Sequence, residues 1–456
     1  MKYPAYPKYK PSGVEWLGEV PEHWTTTKFW HCAFFQEGPG LRNWQFTDEG
    51  VRVVCVTNIT DAGIVFSNYE KFISENEYSQ SYRHFTVSKG DLLLSSSGNS
   101  WGKVAEFCSD ECSILNTSTI RINCNHAEML NRPFLKWLLQ AESTREQLGL
   151  FMTGSCQPNF GPSHLSRVLV AVPHKEEQRA IADFLDRETA KLDTLVSKKR
   201  ELIEKLKEKR TALISRTVTR GLPPEAARAA GFDPNPKLKP SGIEWLGEVP
   251  EHWEVKRLGH LVSKVGSGKT PKGGAETYQE EGVMLIRSQN VYDDGLHLED
   301  VVFIDEGVDE EMAVSRVFPG DVLLNITGAS LGRCTIAPSD FSRANVNQHV
   351  CILRPETSKV DGRFLQRNIS SMVVQSQIFS FENGSSREGL NFQQIRSLLI
   401  TLPPLAEQRA IAGYLDREAA KIDQRAARVE EALTRLQEYR AALITAAVTG
   451  KIDVRE

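Results

Sequence analysis

The chain has 456 residues, of which 40% are apolar and 25% charged, and its formal net charge is −4 at pH 7. Single hydrophobic cores stop growing near ~250 residues, so the length predicts roughly two to three domains. No apolar run approaches the ~18 residues of a membrane span, and the N-terminus lacks the apolar core of a signal peptide, so we expect a cytoplasmic protein. The charge is not that of a typical nucleic-acid-binding protein, so any positive face must be local or supplied by partner subunits.

The eight cysteines are sparse for this length, and none forms a CxxC pair. This usage indicates reduced thiols, mostly buried, rather than a disulfide framework. A zinc site is the alternative for one group in the first half, but the group lacks paired ligands and has no counterpart in the second half. We therefore expect no metal site at these residues, which are Cys108, Cys112, Cys124 and His126.

The sequence contains an internal repeat with an offset of about 230 residues. Residues 8–24, KYKPSGVEWLGEVPEHW, recur at 237–253 with two substitutions. Residues 177–193, EQRAIADFLDRETAKLD, recur at 407–423 as EQRAIAGYLDREAAKID. Between these blocks the two copies diverge, although short pairs stay in register. This pattern predicts one scaffold, repeated twice, that carries two different recognition surfaces. The pairs in register are Gly90-Asp91 with Gly320-Asp321, Gly98 with Gly328, and Gly154-Ser155 with Gly384-Ser385.

The interior of each copy is rich in predicted strands. Short apolar runs are separated by Gly, Asn, Asp and Pro, which is typical of a mixed, strand-rich globular domain. Helical segments interrupt the strands near residues 133–148 and 361–379. The fold class is therefore α+β. The predicted strand runs are VRVVCVTNI (51–59), DLLLS (91–95), TIRIN (119–123), VMLIRSQNV (283–291), DVLLN (321–325) and VCILR (350–354).

A long helix follows each interior, after Pro173 and after Pro403-Pro404. Its apolar residues follow the alternating 3/4 spacing of a coiled-coil seam. Forty helical residues span roughly 60 Å, more than the width of a small domain. We therefore expect the two helices to pack against each other as an antiparallel coiled coil. The predicted seam residues are Leu192, Leu195, Leu202, Leu206 and Leu213 in the first helix, with Lys199 and Lys209 at two seam positions, and Ile422, Val429, Leu436, Tyr439 and Leu443 in the second, with Arg425 as an interruption.

These patterns divide the chain into five segments related by a pseudo-twofold repeat. The first globular domain covers 1–172, and the first helical spacer covers 173–221. A Pro- and Gly-containing linker covers 222–236. The second globular domain covers 237–402, and the second spacer covers 403–456.

The motif VGSGKTP at 265–271 superficially resembles a phosphate-binding P-loop. The P-loop pattern requires Gly where this chain has Ser263, and a helix where Pro271 and Gly273-Gly274 follow. A flexible basic loop that contacts a phosphate backbone is the better interpretation. No fingerprint of a dinucleotide, zinc-protease or serine-hydrolase site is present, and the Pro-Pro dipeptides lack the neighbours of an amino-methyltransferase motif. The sequence therefore favours a binding protein without catalytic residues.

Polar residues follow the predicted strands at equivalent places in both interiors. Arg, Asn and Gln pair with guanine or adenine edges, whereas Lys and Ser bind phosphates, although such residues also satisfy ordinary turns. The two copies have different residues at these places, so two different DNA sequences would be read. The candidates in the first copy are Arg42, Thr57, Asn58, Ser97, Asn99, Trp101 and Lys103. Those in the second are Lys264, Lys269, Thr270, Lys272, Arg287, Ser288, Gln289, Asn290, Asn325, Thr327, Ser330 and Arg333.

The repeated motifs resemble those of the DNA-specificity subunit of type I restriction–modification systems. The resemblance covers essentially the whole chain. It rests on PSGVEWLGEVPEHW and PSGIEWLGEVPEHW, on the GD-L…G segment, on KTP…EGVMLIRSQNV, and on the two EQRAIA helix starts. It implies that each globular domain is a target-recognition domain for one half of a bipartite, asymmetric DNA site. The first domain departs from the pattern, because EGPGLRNWQF (37–46) stands where the second has GKTP.

The resemblance also implies partners for this chain. Two modification subunits, which bind S-adenosylmethionine and methylate adenine, would dock on it, and restriction subunits using ATP and Mg would join them. Double-stranded DNA would be the ligand, and no cofactor or catalytic residue would lie on this chain. Two alternatives remain open on the residues alone. One is a self-contained nuclease or methyltransferase, and the other is a coiled-coil adaptor with two protein- or glycan-binding heads.

Overall fold

The computed structural model describes residues 3–60, 63–67, 69–124, 129–152, 159–243, 245–341, 343–382 and 389–455. The chain divides into two compact units, one formed by residues 1–199 and 431–456 and the other by residues 200–430. Both units combine helices and strands, which confirms the α+β class. Among the described residues, no helix is long and apolar enough to cross a membrane.

The first unit contains strands β1–β15 and helices α1–α4, together with the first part of the long helix α5. The strands are β1 (Tyr9–Pro11), β2 (Glu19–Pro21), β3 (Thr25–Lys28), β4 (Ala33–Glu37), β5 (Phe46–Thr47), β6 (Val51–Val54), β7 (Ile59–Thr60), β8 (Gly63–Ile64), β9 (Phe72–Ile73), β10 (Thr86–Val87), β11 (Leu92–Ser95), β12 (Val104–Glu106), β13 (Ser113–Leu115), β14 (Thr119–Cys124) and β15 (Leu169–Val172). The helices are α1 (Glu75–Glu77), α2 (Arg132–Gln140), α3 (Glu142–Phe151), α4 (Pro162–Leu165) and α5 (Lys175–Arg220).

The second unit contains strands β16–β29 and helices α6–α10, together with most of the second long helix, α11. The strands are β16 (Leu238–Pro240), β17 (Glu248–Pro250), β18 (Glu254–Arg257), β19 (Val262–Ser267), β20 (Val283–Ile286), β21 (Val291–Tyr292), β22 (Gly295–Leu296), β23 (Val302–Ile304), β24 (Arg316–Val317), β25 (Val322–Asn325), β26 (Cys334–Ile336), β27 (Ala344–Val346), β28 (Val350–Pro355) and β29 (Leu399–Leu402). The helices are α6 (Pro224–Ala230), α7 (Glu306–Glu311), α8 (Gly362–Ile369), α9 (Met372–Glu382), α10 (Phe392–Ser397) and α11 (Leu405–Val448).

The two units have the same sheet topology, which confirms the internal repeat. The antiparallel sheet β12-β11-β14-β4 of the first unit corresponds to β26-β25-β28-β19 of the second. The mixed sheet β10-β13-β6-β9 corresponds to β24-β27-β20-β23, and the parallel pair lies at the same place in both, β13 with β6 and β27 with β20. The small strand β5 adds a further edge to this sheet in the first unit.

The central strand of each antiparallel sheet is buried on both faces. In β11, Leu92 and Leu94 pack with the helices, whereas Leu93 faces the cluster formed with the mixed sheet. In β25, Val322 and Leu324 face the helices and Leu323 faces the mixed sheet. Successive side chains of a strand point to opposite faces, so an unbroken apolar run is needed where both faces are covered.

The retained Gly-Asp pair positions this central strand. The carboxylate of Asp91 accepts hydrogen bonds from Ser88 N at 2.9 Å and Asn123 Nδ2 at 2.9 Å. Asp321 accepts from Phe318 N and forms a two-pronged ion pair with Arg354, with N–O distances of 2.8 Å. The preceding glycines have positive φ, +90° and +85°, which favours glycine there. The motif is therefore retained because it makes the turn into the strand.

The repeated helix start is likewise explained by internal contacts. The buried carboxylate of Glu177 accepts from Trp24 Nε1 at 3.0 Å and lies 2.8 Å from His23 Nε2. Its counterpart Glu407 makes the same contacts with Trp253 and His252, at 3.2 and 2.8 Å. The neighbouring glutamines, Gln178 and Gln408, bind backbone groups of adjacent loops. The motif EQRAIA therefore joins each helix to the domain before it.

The buried stripe of the long helices differs from the predicted seam. Leu195, Leu202 and Tyr439 are exposed, so the prediction is wrong at these three positions. Lys209 is exposed as well, and the half-buried cation is its neighbour Arg210. A 3/4 pattern is compatible with either of two adjacent residues, and the exposed leucines Leu195 and Leu202 adjoin the covered Val196 and Ile203. The stripe that is buried or half-buried runs through Leu192, Val196, Lys199, Ile203, Leu206, Arg210 and Leu213, and through Ile422, Ala426, Val429, Leu436, Arg440 and Leu443.

Some predictions need finer bounds. Each predicted helical segment is a pair of helices, α2–α3 and α8–α9, and the strand predicted at 51–59 ends at Val54. The described cysteines are free, four of them buried, and burial raises the pKa of the Cys32, Cys334 and Cys351 thiols to about 12. Gly154-Ser155, Gly384-Ser385, Cys156 and His126 lie outside the described residues. Within the described ranges, no group of three or more His, Cys, Asp or Glu residues is placed to hold a metal ion.

Candidate nucleic-acid interface

In the second unit, loops at the ends of several strands surround a cleft of about 370 Å³. One turn, Ser288–Asn290, follows β20, and another, Gly328–Ser330, follows β25. Because β25 pairs with β28, the turn after β25 lies beside His349, which precedes β28. Five predicted residues thus meet here. The lining consists of Ser288, Gln289, Tyr292, Thr327, Gly328, Ala329, Ser330, Arg333 and His349.

A chain of hydrogen bonds orients the ring of His349 at the edge of this cleft. Gln348 Nε2 lies 2.9 Å from His349 Nε2, and an amide N–H can only donate, so Nε2 accepts. The proton is then on Nδ1, which donates to Thr327 Oγ1 at 2.6 Å. Gln348 Oε1 accepts from Thr270 Oγ1 at 2.6 Å. Thr270 of the GKTP loop is therefore tied to the cleft wall through two intervening side chains.

Arg333 presents the positive charge of the cleft. Its guanidinium lies 4.9 Å from the centre of the Tyr292 ring, and that ring stacks on His297 at 4.1 Å and 17°. Stacking fixes the guanidinium plane and leaves its N–H groups available. A planar donor of this kind matches a phosphate or the O6 and N7 acceptors of guanine.

Three predicted DNA contacts are instead buried and structural. Asn290 accepts from Arg287 N at 3.0 Å and donates to His297 O at 2.9 Å. Its counterpart Asn58 accepts from Cys55 N at 2.8 Å and donates to Val65 O and Tyr69 O. Asn325 donates to Ser288 O at 2.8 Å and joins the two turns of the cleft. These side chains cannot reach a base edge, because they satisfy buried backbone groups of the turns.

Two predicted cations are also directed toward the protein. Arg287 donates to Asp300 O at 2.6 Å, and its guanidinium lies 5.8 Å from the Tyr278 ring. Lys264 donates to Val314 O, and burial lowers the pKa of its ammonium group. Lys269 is exposed. Lys272 is also largely exposed, and its Nζ lies 3.5 Å from Glu311 Oε2. Lys269 and Lys272 are therefore the cations of this loop that face solvent.

The glycine of GKTP is explained by a close backbone approach. A Cβ at Gly268 would lie 1.6 Å from Val346 O, and its N–H donates to Asn347 O at 3.1 Å. At the corresponding place in the first unit, a Cβ at Gly38 would lie 2.2 Å from Asn116 O. The helix required by a P-loop does not follow, since only the 3₁₀ turn Gly274–Thr277 comes next. The loop is therefore not a nucleotide-binding P-loop.

The first unit places different side chains on the same turns. Its turns Val56–Asn58 and Gly98–Ser100 correspond in topology to the two turns of the cleft. By this correspondence Thr57 replaces Gln289, Asn99 replaces Ala329, Lys103 replaces Arg333 and Ser118 replaces His349. Thr57 and Asn99 are exposed, and Ser97 and Lys103 are half-buried. The two units thus offer different hydrogen-bonding groups from one backbone arrangement.

Trp101 and Arg42 have different environments in the first unit. The Trp101 ring contacts the core, meets Phe160 edge-on, and lies 5.0 Å below the Arg145 guanidinium. Arg42 is exposed and directly precedes the 3₁₀ turn Asn43–Gln45. Trp44, in this turn, is 80% exposed. Trp101 therefore supports the cation of Arg145, whereas Arg42 and Trp44 form a surface in the loop that replaces GKTP.

Comparison with known proteins assigns the family. The family described as "Type I restriction modification DNA specificity domain" matches residues 42–205 and again residues 250–434. These two stretches cover most of the chain and fall one in each copy of the repeat. The chain belongs to this family.

Relatives of this specificity-domain family match parts of the chain. The type I restriction enzyme MjaVIII specificity subunit of Methanocaldococcus jannaschii is 28% identical over 200 residues, which cover 42% of this chain and 45% of that protein. The EcoBI specificity subunit of Escherichia coli is 26% identical over 250 residues, 54% of this chain and 50% of that protein. The matches thus span about half the length of these curated relatives.

A solved structure extends the likeness to the whole fold. The structure was solved to explain complex assembly and conformational transition of the type I R-M system. One of its chains has a TM-score of 0.62 to this chain. The sequence identity is 18%, and the match covers 95% of this chain and 99% of that one. The likeness shows that both chains share a fold.

Four side chains at these surfaces were not predicted from the sequence. His349 and Tyr292 line the cleft of the second unit. In the first unit, the Arg145 guanidinium lies over the Trp101 ring, and Trp44 is exposed. The sequence signal for a candidate contact is a polar residue that follows a strand, whereas His349 precedes one. Arg145 lies on α3, far along the chain from the turn it covers, so only the folded structure reveals it.

Proposed function

We propose that this chain is the DNA-specificity subunit of a type I restriction–modification complex, and that each unit reads one half of a bipartite, asymmetric DNA site. The observation that supports this proposal is the pair of matched turns with different side chains. Gln289, Ala329, Arg333 and His349 stand in the second unit where Thr57, Asn99, Lys103 and Ser118 stand in the first. An asymmetric DNA site requires two different recognition surfaces on one scaffold.

The chemistry of the cleft fits a DNA major groove. Gln289 is exposed and can pair with adenine, and Arg333 can pair with guanine or bind a phosphate. Lys269 and Lys272 are suited to backbone contacts, which fix orientation without reading sequence. A local positive surface of this kind is compatible with the net charge of −4, because only the contacting face must be basic.

We further propose that the long helices form an antiparallel coiled coil that sets the distance between the two half-sites. In the first unit, Arg440 Nε lies 2.9 Å from Asp193 Oδ1. In the second, Arg210 Nε lies 3.0 Å from Asp423 Oδ1. Asp193 precedes Arg210 along α5, whereas the partner of Asp193, Arg440, follows the partner of Arg210, Asp423, along α11. This reversed order supports the antiparallel direction. Supporting evidence also comes from the covered stripe, in which Ile203 and Ile422 are buried.

The remaining functions of the complex would belong to partner proteins. Two modification subunits would bind S-adenosylmethionine and methylate adenine, and restriction subunits would use ATP and Mg to translocate and cut DNA. This chain would supply recognition and a docking scaffold, and it would carry no catalytic residue and no cofactor.

The decisive experiment maps methylated adenines across the genome in cells with and without the gene for this chain. The proposal predicts a bipartite motif that disappears when the gene is deleted and returns when it is restored. A methylation pattern that does not change on deletion would contradict the proposal and favour an adaptor for protein or glycan ligands. Binding of the purified complex to the mapped site should also weaken steeply with salt, as phosphate contacts require.

A further inference from the structure

Each unit has an arginine that lies over an aromatic ring near the turn after its central strand. In the second unit the Arg333 guanidinium lies 4.9 Å from the centre of the Tyr292 ring. In the first unit the Arg145 guanidinium lies 5.0 Å from the centre of the Trp101 ring. Arg333 belongs to the loop between β25 and β26, whereas Arg145 belongs to helix α3. The two units thus support an arginine in the same way but take it from different elements.

The loops after the two central strands have the same backbone arrangement. Gly102 N donates to Ser95 O at 2.8 Å, and Gly332 N donates to Asn325 O at 2.9 Å. The two glycines have φ of +79° and +86°, a region that favours glycine. The residues of the two loops therefore correspond one to one.

The helices beside these loops, α3 and α9, also correspond residue by residue. Gln147 of α3 donates to a β15 carbonyl at 3.0 Å and accepts from the N–H of the same β15 residue at 2.8 Å. Gln377 of α9 makes the same two contacts with β29, at 3.1 and 2.8 Å. The residue two positions before this glutamine is Arg145 in α3 and Gln375 in α9. Gln375 is therefore the counterpart of Arg145.

Arg145 and Gln375 lie against the same glycine of the loop but make different contacts. A Cβ at Gly332 would lie 2.4 Å from Gln375 Oε1, and one at Gly102 would lie 3.2 Å from Arg145 Nε. Gln375 Nε2 donates to the carbonyls of Gly332 and Ile369, both at 2.9 Å. Within the part of the chain that the structure describes, the exposed guanidinium of Arg145 forms no hydrogen bond or ion pair. Its N–H groups are therefore available for a ligand.

Arg145 also lies at the candidate recognition surface of the first unit. Its support, Trp101, directly follows the turn Gly98–Ser100, in which Asn99 is exposed. The corresponding turn of the second unit lines the cleft together with Arg333. A ligand that contacts the turn of the first unit would therefore meet Arg145.

We propose that Arg145 reads a guanine in the half-site of the first unit, and that Trp101 holds the guanidinium plane for this contact. Two parallel N–H groups of a guanidinium pair with O6 and N7 of guanine, a geometry that depends on the orientation of the plane. Stacking on an aromatic ring fixes that plane. A phosphate contact, by contrast, requires charge but no fixed plane. This inference rests on the proposed function, in which each unit reads one half-site, and it names a residue and a base for the first unit.

The test uses the full chain in complex with its modification subunits. Methylation rates are measured on the mapped DNA site and on every single-base variant of it. Arg145→Ala should lower discrimination at one G·C pair of one half-site by ~10-fold and leave the other half-site unchanged. Glu146→Ala, at the exposed neighbour on the same helix, is the matched control and should retain discrimination at every position.

The positioning role of Trp101 is tested by two substitutions. Trp101→Leu installs the residue of the second unit, Leu331, and should lower discrimination at the same base pair as Arg145→Ala. Trp101→Phe retains an aromatic ring and should retain discrimination. A loss in Trp101→Leu at other base pairs, or an equal loss in Trp101→Phe, would contradict the positioning role.

Three results separate the inference from its alternatives. Unchanged discrimination in Arg145→Ala, in a complex that still methylates the wild-type motif, would overturn the inference. A uniform loss of rate on all DNA variants, with a weaker dependence on salt, would also overturn it, because that result indicates a phosphate contact. Failure of the wild-type complex to methylate any bipartite motif would instead refute the proposed function.

Discussion

Gln289 and Asn290 are neighbours in one turn, yet they have opposite environments. Asn290 is buried and holds the turn through two backbone hydrogen bonds, whereas Gln289 is exposed beside the cleft. The same alternation occurs at Asn58 and Thr57 in the first unit. One side chain of each pair builds the turn, and the other is free to differ between the units.

Replacement of Gln289 by Ala should relax specificity at one base pair of one half-site. A bidentate base contact contributes ~1–3 kcal/mol of discrimination, so methylation of sites altered at that position should rise relative to the cognate site. The measurement is the methylation rate on a panel of single-base variants. Thr57→Ala is the reciprocal control and should affect the other half-site. Unchanged discrimination at every position would remove Gln289 from the interface.

Gly268 illustrates a residue whose requirement is steric. Alanine there would place Cβ 1.6 Å from Val346 O, so the strand or loop must move, at a cost of about 1–3 kcal/mol. Gly266→Ala is the matched control, because the nearest atom to its Cβ would be 3.9 Å away. We expect chemical denaturation to detect a loss of stability for Gly268→Ala and little change for Gly266→Ala. Equal stabilities would show that the loop adjusts without cost.

At the scale of elements, the stability that a residue of the long helices contributes depends on whether it or its neighbour is buried. Ile203 is 7% exposed and Leu202 is 44% exposed, so the first should contribute more to stability. Truncation of a buried isoleucine to alanine costs about 2–5 kcal/mol, whereas exposed positions usually change stability by about 0.5 kcal/mol or less. Denaturation of Ile203→Ala and Leu202→Ala compares them directly. A larger effect of Leu202→Ala would restore the originally predicted seam.

At the scale of the whole molecule, the repeat separates folding from recognition. The Gly-Asp turns and the helix starts are alike in both units because each makes the same internal contacts. The exposed members of the turns differ, because no internal contact holds them constant. Under the proposed function, this separation would allow half-site specificity to change while the scaffold is preserved.

Helix length should therefore control the gap in the DNA site. Insertion of one helical turn after Glu201 and after Glu431 lengthens both helices by ~5.4 Å while the face pattern is nearly kept. We expect the methylated motif to keep both half-sites but to change the number of bases between them, as measured by sequencing of methylated DNA. An unchanged gap in an active complex would refute the spacing role.

The sequence by itself determined the duplication, the α+β class, the long helices and the turns that carry exposed polar residues. These follow from repeated motifs and from the spacing of apolar residues, both of which are properties of neighbours along the chain. The family followed from the same motifs.

Only the tertiary structure decided which polar residues face solvent and which face the protein. Asn58, Asn290, Asn325, Arg287 and Lys264 have the composition of DNA contacts, but their side chains bind backbone groups of this chain. The partners of Asn325 and Lys264 are 37 and 50 residues away, whereas those of Asn58, Asn290 and Arg287 lie in the segment that follows each turn. Strand pairing brings His349 to the cleft of the second unit, and helix packing brings Arg145 over Trp101 in the first. The physical reason is that exposure of a side chain depends on what packs over it, which local sequence does not specify.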